Sequence, residues 1–156
     1  MKQFFVALCV FSILCGSCGK RETGCEPVPV ASEKQQLIAY CTNNGINYTE
    51  HSSGLYYQII NPGTGASPST TSTVSVVYTG KHFDNSLPPF DASANPVTFP
   101  LSSLIDGWKI GLPLIKKGGR IKLIVPSALA YSCTGSLPTI QPNEPLFFDI
   151  TLTDVQ

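Results

Sequence analysis

Along much of its length the chain alternates apolar and polar residues with a period of two. Val74-Ser75-Val76-Val77-Tyr78, Arg120–Val125 and Leu146–Leu152 carry this alternation, and Leu55–Ile60 is a short apolar run ended by Asn61-Pro62-Gly63. Successive side chains of a strand leave opposite faces, so the pattern predicts strands with one face in a core. Shorter β-like runs follow the Leu87-Pro88-Pro89 stretch, around Phe90 and at Val97–Phe99. A helical period occurs twice. Between Leu101 and Gly111, the apolar Leu101, Leu104, Ile105 and Trp108 fall at i, i+3, i+4 and i+7, the stripe of one helix lying across a sheet. Earlier, Ser32-Glu33-Lys34-Gln35 has the form of a capping box, Leu37, Tyr40 and Cys41 share a face, and Asn43-Asn44-Gly45 supplies a stop, which predicts a short helix. The strands are not separated by helices. The predicted fold is therefore α+β, an antiparallel sheet wrapped on one short helix.

The first eighteen residues break from this pattern. One lysine precedes an apolar run from Phe4 to Leu14, too short to span a bilayer, and small residues lead to Cys18. This is the layout of an export signal. Gly16-Ser17-Cys18 resembles the lipobox of bacterial lipoproteins, in which the cysteine receives a lipid anchor, although Cys15 stands where leucine is usual. A plain cleaved signal and an uncleaved anchor are the alternatives. The expected organisation is a lipoprotein signal peptide at 1–17, a tether at 18–31 with two prolines and no period, a short helix and connector at 32–53, and the main domain at 54–156. An exported protein held on a bacterial membrane, facing the periplasm or the cell exterior, is expected.

Composition narrows the function. Charged residues make up 13% of the chain against 13 Gly and 13 Pro, which fits a turn-rich domain better than a disordered chain or helical bundle. Ten basic and ten acidic residues cancel, leaving no basic field for a phosphate backbone, so nucleic acid is not an expected partner. Beyond the signal and Cys18 three cysteines remain, Cys25, Cys41 and Cys133. An odd number leaves at least one unpaired within a chain. An oxidising compartment permits a disulfide, but the sequence does not choose among the three pairs or against three free thiols. His51 and His82 stand apart without ligand spacing, so neither a metal nor another cofactor is expected.

Val76-Val77-Tyr78-Thr79-Gly80, Phe90-Asp91-Ala92-Ser93, Leu104-Ile105-Asp106-Gly107-Trp108, the run from Gly118 to Pro126, Leu129-Ala130-Tyr131 and the run from Pro145 to Leu152 occur in the order and spacing of the FKBP domain. The resemblance covers about residues 54–153. It implies a half-barrel antiparallel sheet around one short helix, and peptidyl-prolyl cis/trans isomerase activity on proline-containing polypeptides. It further implies a pocket with Trp108 as floor and Tyr78, Phe99, Phe148, Leu104 and Ile105 as walls. Phe90 and Asp91 would come from the Phe-Asp motif, Tyr131 from Leu-Ala-Tyr and Ile140 from the loop beyond. In the family the backbone N–H at Ile105 and the Tyr131 hydroxyl donate hydrogen bonds to ligand carbonyls. Four departures are visible. Ser132 replaces the usual glycine, Val97 a frequent aromatic, the stretch from Ser93 to Pro96 lacks the arginine that pairs with the pocket aspartate, and Lys81–Pro89 lengthens a turn. Asp91 therefore needs another partner. A slow or non-catalytic prolyl-binding module is the alternative function, and a monomer is expected.

Overall fold

A computed structural model describes residues 24–156; the proposed signal and Cys18 lie outside them. The elements follow one another as α1 (Val30–Asn43), β1 (Thr49–Glu50), β2 (Tyr56–Asn61), β3 (Thr73–His82), β4 (Asp91–Pro100), α2 (Asp106–Gly111), β5 (Arg120–Val125) and β6 (Leu146–Val155). The six strands form one antiparallel sheet in the order β1-β2-β5-β6-β3-β4.

Alternation assigns the strand residues to two faces. Val74, Val76, Ile121, Leu123, Val125, Leu146, Phe148, Ile150 and Leu152 turn to one face and join Trp108 and Leu112 of the α2 region in the main core. The interleaved Ile124 and Phe147, with Tyr56, turn to the other face, where Leu37, Tyr40 and Cys41 of α1 cover them. The sheet thus carries a helix on each face. Each fully buried aliphatic contributes about 1.5–3 kcal/mol of transfer free energy, so the alternation fixes the register. Burial pushes the Cys41 thiol up to about 11, which keeps it protonated, as a small apolar group in the α1 contact.

Several local expectations are met and others change. α1 ends as predicted: Ile46 N–H donates to Cys41 O at 2.9 Å and Gly45 N–H to Thr42 O at 3.2 Å, with Gly45 at φ +62° closing the turn. Its start differs. The helix begins at Val30 after Pro29, Ser32 lies inside it, and the Ser32 hydroxyl donates to Pro29 O at 2.7 Å instead of capping. The Glu33 carboxylate, only 6% exposed, accepts the distant Ser127 N–H at 2.8 Å. A helix that starts at Val30 leaves Ser32 no N-cap position, so the expected box with Gln35 does not form.

The single helix expected over Leu101–Gly111 is divided. A 3-10 turn spans Leu101–Ser103, Leu104 and Ile105 are extended at ψ 169° and 153°, and α2 starts at Asp106. β-branched Ile105 is a poor helix residue, whereas Asp106 suits a first turn. The stretch from Ser93 to Pro96 is not a separate loop but the bulged middle of β4: the register passes from Val76↔Val97 to Tyr78↔Ser93, leaving three residues opposite Val77. Pro96 is tolerated there because β4 is an edge strand. Part of the expected tether is fastened as well, since Cys25 is disulfide-bonded to Cys133.

α2 lies close against β5 through glycine. A Cβ on Gly107 would sit 2.5 Å from Val125 Cγ1, and Val125 is stiff and fully buried. Helix propensity favours alanine over glycine by about 1 kcal/mol, but overpacking costs about 1–3 kcal/mol, so the clash wins. Gly107→Ala is expected to lower the urea midpoint. A raised midpoint would show that α2 can lift from the sheet freely.

Candidate active site

Where α2 crosses the sheet, aromatic side chains from three strands meet the one tryptophan of the chain. Trp108 is 4% exposed. Tyr78 from β3 stands edge-on to it with ring centroids 5.3 Å apart, and Phe148 from β6 likewise at 5.4 Å. Phe99 of β4 lies 6.3 Å from Tyr78, and Phe90 lies 5.7 Å from Phe148. Edge-to-face pairs of this kind are favourable because ring edges are positive and faces negative. Gly80 makes room: a Cβ there would fall 2.7 Å from the Phe90 ring and 3.0 Å from that of Phe148.

These rings enclose a cavity of about 270 Å³ lined also by Asp91, Ser103, Leu104, Ile105 and Tyr131. A roomier hollow of about 360 Å³ lies on the opposite face of the sheet, with Lys81 and the Arg120–Asp149 ion pair in its lining. The aromatic cavity is the better candidate, because few polar groups converge on an apolar pocket.

The structure brings together all of the pocket residues expected from the sequence except Ile140. That side chain is 4% exposed in the main core and does not line the cavity; nor does Val97. Ser103 lines the cavity instead; its hydroxyl donates to Pro100 O at 2.8 Å, and nothing in the sequence pattern distinguishes it. The split of the expected helix matters here. Extended backbone at Leu104 and Ile105 leaves the Ile105 N–H without an acceptor among the described residues, while its carbonyl accepts from Trp108 and Lys109.

Asp91 has a partner that the motif comparison did not supply. The Tyr78 hydroxyl donates to Asp91 Oδ2 at 2.6 Å. Burial, then this hydrogen bond and the Asp91 charge, push Tyr78 up to about 12. The folded state therefore holds this proton more tightly than the unfolded chain, so the contribution to stability is complete below pH about 10 and is lost between about 10 and 12. Tyr131 is also raised, first by burial and then by the Asp91 charge. Both hydroxyls remain protonated at neutral pH. Tyr78 gives its proton to Asp91, whereas the Tyr131 hydroxyl has no partner among the described residues.

Tyr131 belongs to an irregular rim between β5 and β6. Ser132, where the FKBP pattern usually has glycine, adopts φ +53°, and Cys133 is fastened to Cys25. His82 contacts the Glu144 carboxylate, whose other oxygen accepts Gln141 N–H at 2.8 Å, so the far end of the rim is tied to β3.

Residues 65–153 match the family described as FKBP-type peptidyl-prolyl cis-trans isomerase. Among similar proteins, FKBP-type peptidyl-prolyl cis-trans isomerase FkpA of Escherichia coli K12 is 44% identical over 131 residues, covering 81% of this chain and 46% of that protein. Peptidyl-prolyl cis-trans isomerase Mip of Coxiella burnetii is 34% identical, covering 80% of this chain and 55% of that one. The chain thus spans about half the length of the curated relatives it matches. Of solved structures, the crystal structure of E. coli FkpA aligns with a TM-score of 0.70 at 38% identity, covering 81% of this chain and 61% of that one. A peptidyl-prolyl cis-trans isomerase from Pseudomonas syringae pv. tomato aligns at 0.68 and 28%, covering 84% and 98%.

Proposed function

The chain belongs to the FKBP-type peptidyl-prolyl cis-trans isomerase family, and from that premise we propose that the aromatic cavity binds a prolyl ring and catalyses rotation about the preceding peptide bond. Amide resonance opposes this rotation with a barrier of about 18–20 kcal/mol. No nucleophile is required. In the twisted amide the nitrogen has lost conjugation and the carbonyl has lost charge separation, so a dry apolar pocket disfavours the planar amide more than the twisted one. A donor aimed at the twisted carbonyl adds geometric selection.

The observation that carries this reading is the combination of an edge-to-face aromatic pocket with two free donors beside it. Tyr78, Trp108 and Phe148 supply the apolar receptacle, and the Tyr131 hydroxyl and Ile105 N–H supply the donors. Asp91 orients Tyr78 and keeps that hydroxyl from competing for the substrate carbonyl. Trp108 is the sole tryptophan, so its fluorescence reports on the pocket. A peptide with an apolar residue before proline should shift the emission saturably, and its proline-to-alanine counterpart should not. An identical response to the two peptides would count against prolyl recognition.

Tyr131→Phe removes one rim oxygen and leaves the ring in place. Its melting temperature should move little while kcat/KM falls, by about tenfold for each 1.4 kcal/mol of lost transition-state interaction. Unchanged kcat/KM would remove Tyr131 from the machinery.

We further propose that the substrates are exported polypeptides and that the protein is a lipid-anchored monomer held at Cys18. The Cys25–Cys133 disulfide supports an oxidising compartment. Cys18→Ala should abolish incorporation of labelled fatty acid and release the protein from membranes; undiminished labelling would rule out this anchor. The second reading, a prolyl-binding module that turns over slowly, draws on the fastened rim at Ser132 and Cys133, which limits loop movement.

A further inference from the structure

We infer that the segment from Cys25 to Glu33, which precedes the family-matched region, is a brace that positions Tyr131 for catalysis. The inference rests on the isomerase reading of the pocket. The segment from Pro126 to Asn143 carries Tyr131 between two 3-10 turns, Ser127–Leu129 and Ser132–Thr134, and has no long strand ladder of its own. Its backbone bonds are those of short local turns, which open more easily than a strand ladder. Three attachments from the N-terminal side hold this one. The Glu33 carboxylate accepts Ser127 N–H at 2.8 Å on the near side of Tyr131, Cys25 is disulfide-bonded to Cys133 two residues beyond it, and Val28 N–H donates to Asn143 Oδ1 at 3.3 Å at the far end. The attachments reinforce a local turn. Asn143 N–H donates to Ser132 O at 2.8 Å, and these two residues are the non-glycine positions at positive φ among the described residues, +57° and +53°.

The brace bears on the chemistry of the rim as well as on stability. A carboxylate 6% exposed is costly to bury, and Glu33 spends it on a single backbone donor of the rim. A hydroxyl that must meet a developing geometry loses its effect with small displacements. Residues 25–33 are therefore positioning residues acting through Tyr131.

The test uses the purified oxidised protein with Cys25→Ser/Cys133→Ser, Glu33→Ala and Glu33→Gln, at a temperature where circular dichroism shows each folded. The disulfide variant and Glu33→Ala should lose kcat/KM for a prolyl peptide by about three- to tenfold, whereas Glu33→Gln, which keeps an acceptor oxygen, should retain most of it. Combined with Tyr131→Phe, the losses should not multiply, since the brace acts only through that hydroxyl. In Glu33→Ala, amide exchange at Asn143 and Gly135 should quicken more than at Ile121 and Ile150, which report global unfolding. Unchanged kcat/KM, multiplying losses, or unchanged exchange at Asn143 overturns the brace. An inactive wild-type protein overturns the isomerase reading alone, because the exchange measurement then still decides whether residues 25–33 hold the rim.

Discussion

Phe148→Ala should lower the free energy of unfolding by about 3–5 kcal/mol and abolish measurable isomerase activity together. Phe148 is 4% exposed and sits edge-on between Trp108 at 5.4 Å and Phe90 at 5.7 Å. Its removal forfeits the transfer free energy of the ring and two aromatic contacts of about 0.5–1.5 kcal/mol each. The gap cannot close easily, because Trp108 is held by α2 against β5 and Phe90 by the backbone bond from its N–H to Gly80 O at 3.0 Å. A urea midpoint that falls with unchanged slope would show the loss as stability rather than as a change in the unfolded chain. A shift below about 1 kcal/mol would mean that the ring is less committed to the core than its burial implies.

Loss of the disulfide is the second large effect. Cys25 and Cys133 are 108 positions apart, and closing a loop of that size removes chain entropy worth at most about 5 kcal/mol; removal of a native disulfide costs about 2–5 kcal/mol. Cys25→Ser/Cys133→Ser should therefore lower the guanidinium midpoint well beyond the effect of an ordinary surface substitution. An unshifted midpoint would show that the unbridged N-terminal segment docks equally well through α1 alone. Cys41 is the free thiol among the described residues and does not share in the change.

Much of the fold was legible because one face of each long strand is apolar. The alternation in β3, β5 and β6 marks the core residues without reference to any relative, and the Asn43-Asn44-Gly45 stop marks the end of α1. The errors arise where tertiary contacts outweigh local pattern. Ser32 and Gln35 resemble a capping box, but the helix starts at Val30, and Glu33 between them has a partner 94 residues away that no local window contains. The apolar stripe of Leu101–Trp108 is real, yet the backbone breaks at Leu104 and Ile105 so that these two residues can face the cavity. β1, two residues long, is too short to show a period.

The candidate site was legible by a different route. Tyr78, Trp108, Phe99 and Phe148 look like any core aromatics in composition, and only the register of six motifs singles them out. Motif register does not carry the partners that side chains choose. Tyr78 as the hydrogen-bond partner of Asp91, Ile140 in the core and Ser103 in the lining follow from packing alone. The pairing of Cys25 with Cys133 was one of several arrangements open to the sequence, since disulfide geometry depends on how far apart the fold holds two Cα atoms, here 5.3 Å.

The most direct test of the account is a protease-coupled isomerisation assay of the purified wild-type protein on a peptide with an apolar residue before proline. The cis-to-trans relaxation, which takes tens to hundreds of seconds uncatalysed, should shorten in proportion to protein concentration, and the acceleration should fall in Tyr131→Phe. Saturable binding of the same peptide to the Trp108 pocket with relaxation left at the uncatalysed rate would contradict it and make the cavity a binding site only.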